Sequence, residues 1–200
     1  MKSFSKRRVT REGASSTERK NLSEVGDIER QDPSFNLSRQ DSARGAPQDQ
    51  IFMREALKQA RTALEKDEVP IGAVIVHEGK LIAKAHNQVE TLKDPTAHAE
   101  MIAITQATNS LSSKWLHECA LYVTLEPCAM CAGALVLSRI KKIYFGALDP
   151  KAGACGSVCN LVQHERLNHR VPIYGQLMAQ ECGQLLTAFF QKKRKLNKRF

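Results

Sequence analysis

Thr96-Ala97-His98-Ala99-Glu100, answered further along the chain by Glu126-Pro127-Cys128-Ala129-Met130-Cys131, is the stretch from which the rest of the sequence can be read. One imidazole and two thiolates are borderline-soft ligands that suit zinc, and three protein ligands leave the fourth tetrahedral position open to water. Zinc bound in that way lowers the pKa of the water to roughly 7. Glu100, two residues past His98, is then placed to move protons without binding the metal. Each fragment alone has a plainer reading. A Cys-x-x-Cys pair is also a redox motif or half of a structural zinc site, and a lone His-x-Glu is also an ordinary helix start. Their joint position favours the metal reading. Asp94-Pro95-Thr96 stops and caps the chain before the apolar-periodic run Ala97 to Ala107, and Glu126-Pro127 does the same before Cys128 to Leu137. Ligands at two helix starts feel two positive dipole ends, which favour thiolates.

Working outward, residues 1–49 are dominated by Ser, Arg, Glu, Asp, Gln and Gly, with isolated apolar residues and no sustained period. Such a segment cannot offset its ordering entropy and is expected to be a disordered extension. A transit peptide fits its Ser and Arg but not its acids at Glu12, Glu18, Glu24, Asp27, Glu29 and Asp32. A translation start at or near Met53 is a further alternative.

Residues 50–200 read as one globular domain. Ile51, Met53, Ala56, Leu57, Ala60, Ala63 and Leu64 recur at helical spacing, and this helix ends near the charged turn Glu65 to Glu68. Ile71–Val76 and Leu81–His86 read as two strands joined through His77-Glu78-Gly79-Lys80. Ala120–Leu125 is a buried strand delivering the chain to Cys128, Lys142–Phe145 a fourth strand and Val171–Tyr174 a fifth. Asp149 to Asn160 reads as a loop. From about Gln176 a last helix carries Leu177, Cys182, Leu185, Leu186, Phe189 and Phe190 and runs into a basic tail ending at Arg199. The expected fold is α/β, a three-layer α/β/α sandwich on a mixed five-stranded sheet.

The charge and cysteine content narrow the setting. Formal net charge is +9, which suits a nucleic-acid partner. No run of eighteen apolar residues exists, so no membrane span is expected. Six cysteines without a signal-peptide pattern point to a reducing, cytoplasmic compartment. A second metal site at Cys155 and Cys159 has no spaced His or acidic partner and is not expected.

His-x-Glu followed by Pro-Cys-x-x-Cys is the pattern of the zinc nucleobase deaminases. Residues 51–200 more specifically resemble the bacterial tRNA-specific adenosine deaminases, enzymes that convert wobble adenosine to inosine. The stretches that carry the likeness are Glu68-Val69-Pro70-Ile71-Gly72-Ala73-Val74, Asp94 to Glu100, Leu121 to Cys128, Met130-Cys131-Ala132-Gly133-Ala134, Ser138-Arg139-Ile140, Phe145-Gly146-Ala147, Asn168-His169-Arg170 and Phe189-Phe190. The resemblance implies a cytidine deaminase-like fold, a homodimer, one Zn2+ per subunit on His98, Cys128 and Cys131, and Glu100 as proton shuttle. It also implies that Asn87 contacts the flipped-out adenine, and that Asp149 and its neighbours lie against the tRNA anticodon stem-loop. Read from the residues alone, Asn87 and Asp149 are strand-end and turn residues. Of Phe189 and Phe190, one belongs to the core and the other, assigned to Phe190, stacks near the substrate entrance. Leu148 departs from the pattern, standing where some members carry a basic residue.

Two rivals remain at this level. One is a deaminase of a free nucleobase or nucleoside such as guanine or cytosine, which the zinc motif does not separate. The other is an idle RNA-binding protein that keeps zinc only for stability.

Overall fold

The computed structural model describes residues 46–197. The extension expected over 1–49 lies outside the described residues except at its end, where Pro47 to Asp49 open the first helix, and the tail's last residues lie outside them as well. Helix α1 spans Pro47–Glu65. Proline suits a first helical position because its missing N–H would have no partner there. The Ala46 N–H donates to Asp49 Oδ2 at 3.0 Å, while Asp49 Oδ1 accepts from the Tyr122 hydroxyl at 2.7 Å. One carboxylate thus closes the helix start and ties it to the sheet, which is why the helix begins before the apolar run does. Met53, Ala56, Leu57, Ala60 and Ala63 are its buried face.

Strands β1 (Gly72–His77) and β2 (Lys80–His86) form the expected hairpin. Its two turn residues, Glu78 and Gly79, have φ of 48° and 75°, the backbone that matches the twist of the flanking strands. A single helical turn, α2 (Val89–Leu92), follows and was not legible in the sequence. Next come α3 (Ala99–Leu111), β3 (Cys119–Leu125), α4 (Ala129–Leu137), β4 (Lys142–Ala147), β5 (Ile173–Tyr174) and α5 (Ala179–Asn197).

The sheet order is β2-β1-β3-β4-β5. β1 runs antiparallel to β2 and β3, while β3, β4 and β5 are parallel, so the sheet is mixed. Both faces are covered. Ala73, Ile75, Leu121, Val123, Ile143 and Phe145 pack toward α3 and α4; Val74, Val76, Tyr122 and Tyr144 pack toward α1 and α5. Burial on both sides explains why β1 and β3 are unbroken apolar runs. The three-layer expectation holds.

Near the C-terminus, β4 runs on to Ala147, and two later boundaries also shift. β5 is shorter, because the Val171 N–H turns away to Val162 O at 2.9 Å. The last helix starts at Ala179 and not near Gln176, because Gln176 and Met178 hold φ of 64° and 54°. Those two left-handed residues let the Leu177 N–H reach Phe145 O at 3.0 Å before the helix begins.

Candidate active site

His98 and Cys128 are the residues immediately before α3 and α4, each with extended backbone, and neither side chain caps its helix. Asp94 and Thr96, expected to cap α3, instead close the turn ahead of it: Asp94 Oδ1 accepts from Thr96 N at 2.8 Å and Thr96 Oγ1 at 2.7 Å. The N-cap positions are thereby left to residues whose side chains face each other. His98 Nδ1 lies 3.7 Å from Cys128 Sγ and 3.5 Å from Cys131 Sγ, the latter one turn into α4. All three donor atoms fall within 4.8 Å of one another. Among the described residues this is the one such group, and Cys155 and Cys159 form no second one.

The donor set fits a metal ion. Hydrogen bonds from Cys131 and then His98 hold the Cys128 thiol down to about 3, against the cost of burial. Its neighbour is pushed the other way, since the Cys128 sulfur and burial hold Cys131 far above the ordinary thiol value. Two thiolates this close share the site only with a cation between them, and a soft cation with tetrahedral preference answers that need. Glu100, in the first turn of α3, is buried, and its Oε2 has no hydrogen-bond partner. Burial raises its carboxyl above the usual range. An unpartnered buried carboxyl costs stability unless a ligand uses it.

Two further buried carboxylates shape the surroundings. Glu126 accepts from the N–H groups of Asp149 (3.1 Å), Cys155 (3.0 Å) and Ser157 (3.0 Å) and from the Ser157 hydroxyl. With Ala154 N donating to Pro127 O at 2.8 Å, this staples the loop after β4 to the start of α4. Gly153 sits where a Cβ would run into the Glu126 carboxylate. Glu68, expected only as part of a charged turn, is fully buried and accepts from Thr91 N (2.6 Å), Glu90 N (3.2 Å) and Asn87 Nδ2 (3.2 Å). The one sequence signal for it was an acid directly ahead of Val69-Pro70 and the β1 run, where a solvated turn would not need an apolar neighbour.

Asn87 is 3% exposed and follows β2; the next residue, Gln88, donates its N–H to Ala97 O at 3.0 Å, which lays this strand exit beside the His98 segment. Asp149 closes its own turn, its Oδ1 accepting from Lys151 N (2.9 Å) and Ala152 N (3.1 Å). The phenylalanine pair divides as expected: Phe189 is 5% exposed and Phe190 46%. Phe189 also lines a groove of about 530 Å³ with Lys66, Glu90, Thr91, Lys93 and Lys193.

A triad able to hold a metal ion at two helix starts, with a buried carboxyl beside it, has the parts that water activation against an electrophilic carbon requires, and on a mixed sheet of this order hydrolytic deaminases are the class to which it corresponds. The model of the MafB19-like deaminase family matches residues 47–194. A tRNA-specific adenosine deaminase of Bacillus subtilis is 52% identical over 151 residues, covering 76% of this chain and 94% of the relative. That of Aquifex aeolicus is 54% identical over 145 residues, covering 72% and 95%. A solved structure from a study of A-to-I editing by tRNA:A34 deaminases superposes with a TM-score of 0.66 at 44% identity, over 68% of this chain and 99% of that one. The guanine deaminase of Nitrosomonas europaea, 23% identical with a TM-score of 0.62 over 72% and 84% of the two chains, shares the fold. The chain belongs to the tRNA-specific adenosine deaminase family, within the MafB19-like deaminases.

Proposed function

We propose that this protein is a zinc-dependent enzyme that hydrolyses the wobble adenosine of tRNA to inosine, releasing ammonia. The observation that carries this reading is the cluster of His98, Cys128 and Cys131 beside buried Glu100, one of whose oxygens is unpartnered, in a chain about half identical to tRNA-specific adenosine deaminases. His98 Nδ1 and the two sulfurs would hold the zinc, which when bound supplies a Lewis acid that lowers the pKa of water to roughly 7. Glu100 would take a proton from the attacking water and deliver it to a ring nitrogen as the water oxygen adds to C6 of the purine. It would then move the proton of the new C6 hydroxyl to the amino group, so that the C–N bond breaks, ammonia leaves and the C6 carbonyl forms. A carboxyl raised by burial is suited to this two-way traffic, because it takes up a proton more readily than a solvated one and still gives it back.

Asn87 meets the base, while the loop at Asp149 and the exposed Phe190 meet the anticodon stem-loop. The formal net charge of +9 supports a polyanionic substrate. A tRNA substrate implies a cytoplasmic site of action, and among the described residues no helix is long and apolar enough to cross a membrane. The protein works as a homodimer, the state that the resemblance of its sequence implies.

The test is deamination by the zinc-loaded protein of an arginine-tRNA anticodon stem-loop, read as inosine formed and ammonia released. Turnover of free guanine or cytosine with none on the stem-loop would overturn the assignment.

A further inference from the structure

Glu68 and Asn87 stand in an arrangement that a helix cap alone does not require. The Glu68 carboxylate closes the connection between α1 and β1 and accepts three N–H groups, two of them the main-chain amides of Glu90 and Thr91 in the short α2. The third, from Asn87 Nδ2 at 3.2 Å, fixes a side chain instead. A carboxylate can only accept, so the amide of Asn87 must turn its NH2 inward and keep its carbonyl oxygen on the other side. Glu68 is fully buried, and water is therefore not at hand to let the amide flip.

We infer that Glu68 is a positioning residue for the deamination: it locks the Asn87 amide so that Oδ1, a pure acceptor, is what the nucleotide meets. The inference rests on the reading of Asn87 as a nucleotide contact. An acceptor in this place selects a donor on the target nucleotide, either the exocyclic amino group of the purine or a ribose hydroxyl. Thr91 N–H donates to Glu68 Oε1, whereas Glu90 N–H and Asn87 Nδ2 both donate to Oε2, so Glu68→Gln reverses the contact to Asn87 and also forfeits the Glu90 bond, a structural cost that the N87A background retains. A glutamine keeping its oxygen on the Thr91 amide turns its NH2 toward Asn87, and Asn87 flips to present a donor to the nucleotide. Asn87→Asp in the same chain restores the polarity, because the introduced glutamine then donates to one aspartate oxygen and the other faces outward as an acceptor.

The experiment is a double-mutant cycle on the zinc-loaded protein with the anticodon stem-loop, with kcat and KM separated and folding followed by thermal melting. E68Q and N87A should each lower kcat/KM by roughly tenfold or more, and E68Q should cost less than about threefold further in the N87A background. E68Q/N87D should recover activity relative to E68Q. If E68Q does not fold, Glu68→Asp, which draws the carboxylate back from Asn87, takes its place in the cycle. A stem-loop with 2′-deoxyadenosine at the target distinguishes the donors: the E68Q penalty vanishes on it if the hydroxyl is bound and persists if the amino group is, either being the result of an acceptor. An E68Q penalty undiminished in the N87A background would make Glu68 merely structural and overturn the proposal while leaving Asn87 a nucleotide contact. Full activity of N87A would overturn the Asn87 contact, and the proposal with it, without touching the deaminase assignment.

Discussion

His98 and Cys128 hold the same station on two different helices: each is the residue before the first helical one, with φ of −72° in both and ψ of 152° and 173°. Extended backbone at that point turns each side chain off the helix axis and toward the other helix start, so that Nδ1 and Sγ come to 3.7 Å. Two helix dipoles converge on the same volume and favour the anionic ligands there.

Replacing a member of this group should therefore remove the metal and the activity together. His98→Ala or Cys131→Ala is expected to abolish stem-loop deamination and to leave less than stoichiometric zinc by elemental analysis. Chelation of the parent should lower its melting temperature, since binding to the folded state adds to stability by mass action. A parent protein that melts identically with and without chelator would contradict the role given to the triad.

Glu100→Gln separates chemistry from structure. The variant keeps the metal ligands and should bind zinc as the parent does, while kcat falls by about 10²- to 10⁴-fold, the range of a lost general acid and base. Because the carboxyl it replaces is buried with an unpartnered oxygen, the variant is expected to melt no lower than the parent. Calorimetry alongside single-turnover kinetics tests both halves.

At the other buried acid, Glu126→Ala strands the amides of Asp149, Cys155 and Ser157. Each was bonded to a charged acceptor, and the expected loss is more than about 2 kcal/mol of unfolding free energy, with activity falling as the loop loosens. Limited proteolysis should place the first new cleavages between residues 149 and 160. Cuts appearing only elsewhere would count against the staple.

Gly72→Ala probes the contact of α1 with the sheet. A Cβ on Gly72 would run into the Ala56 carbonyl oxygen and the Ala60 nitrogen, both main-chain atoms of α1. Backbone cannot swing aside as a side chain does, so the helix must lift off β1, at a cost of about 2 kcal/mol or more. Denaturant unfolding gives the number.

At alkaline pH the sheet face under α1 sets the limit. Burial, followed by the Asp49 carboxylate, raises the Tyr122 hydroxyl far above its usual value, and Tyr144, stacked on it at 4.6 Å, is pushed up to about 12 by the same two causes in the same order. The folded protein holds these protons more tightly than the unfolded chain. Their contribution to stability is complete below the ordinary tyrosine value near 10 and is lost as pH rises from there through 12 and beyond. Unfolding free energy should be level across neutral pH, begin to fall near pH 9, where the thiols of Cys119 and Cys182, pushed up by burial to about 11 and about 12, start to contribute, and fall more steeply from about pH 10 with tyrosinate absorbance appearing on unfolding; Tyr122→Phe should soften the steeper part.

The sequence by itself determined which residues form the candidate metal cluster, the acid beside it and most of the elements. His98, Glu100, Cys128 and Cys131 are legible because their chemistry is carried by residue type at short spacing, and a helix start is a local event that Pro95 and Pro127 announce. The strands of the hairpin follow from an apolar run ending at Glu78-Gly79. What the sequence left as turn chemistry at Asp149 is turn chemistry, with the addition that its amide hangs on Glu126.

Only the tertiary structure decided which acid does what. Glu68 and Glu126 are ordinary charged residues until the chain brings donors to them from 19 to 23 and from 23 to 31 positions away. A carboxylate's capacity to accept is written in its residue type, whereas the identity of its partners depends on the packing of segments remote in the chain. The same reason settles Phe189 against Phe190, adjacent on one helix and alike in hydrophobicity: burial belongs to the one that faces the groove beside α2, a turn of helix too short to leave a period in the sequence.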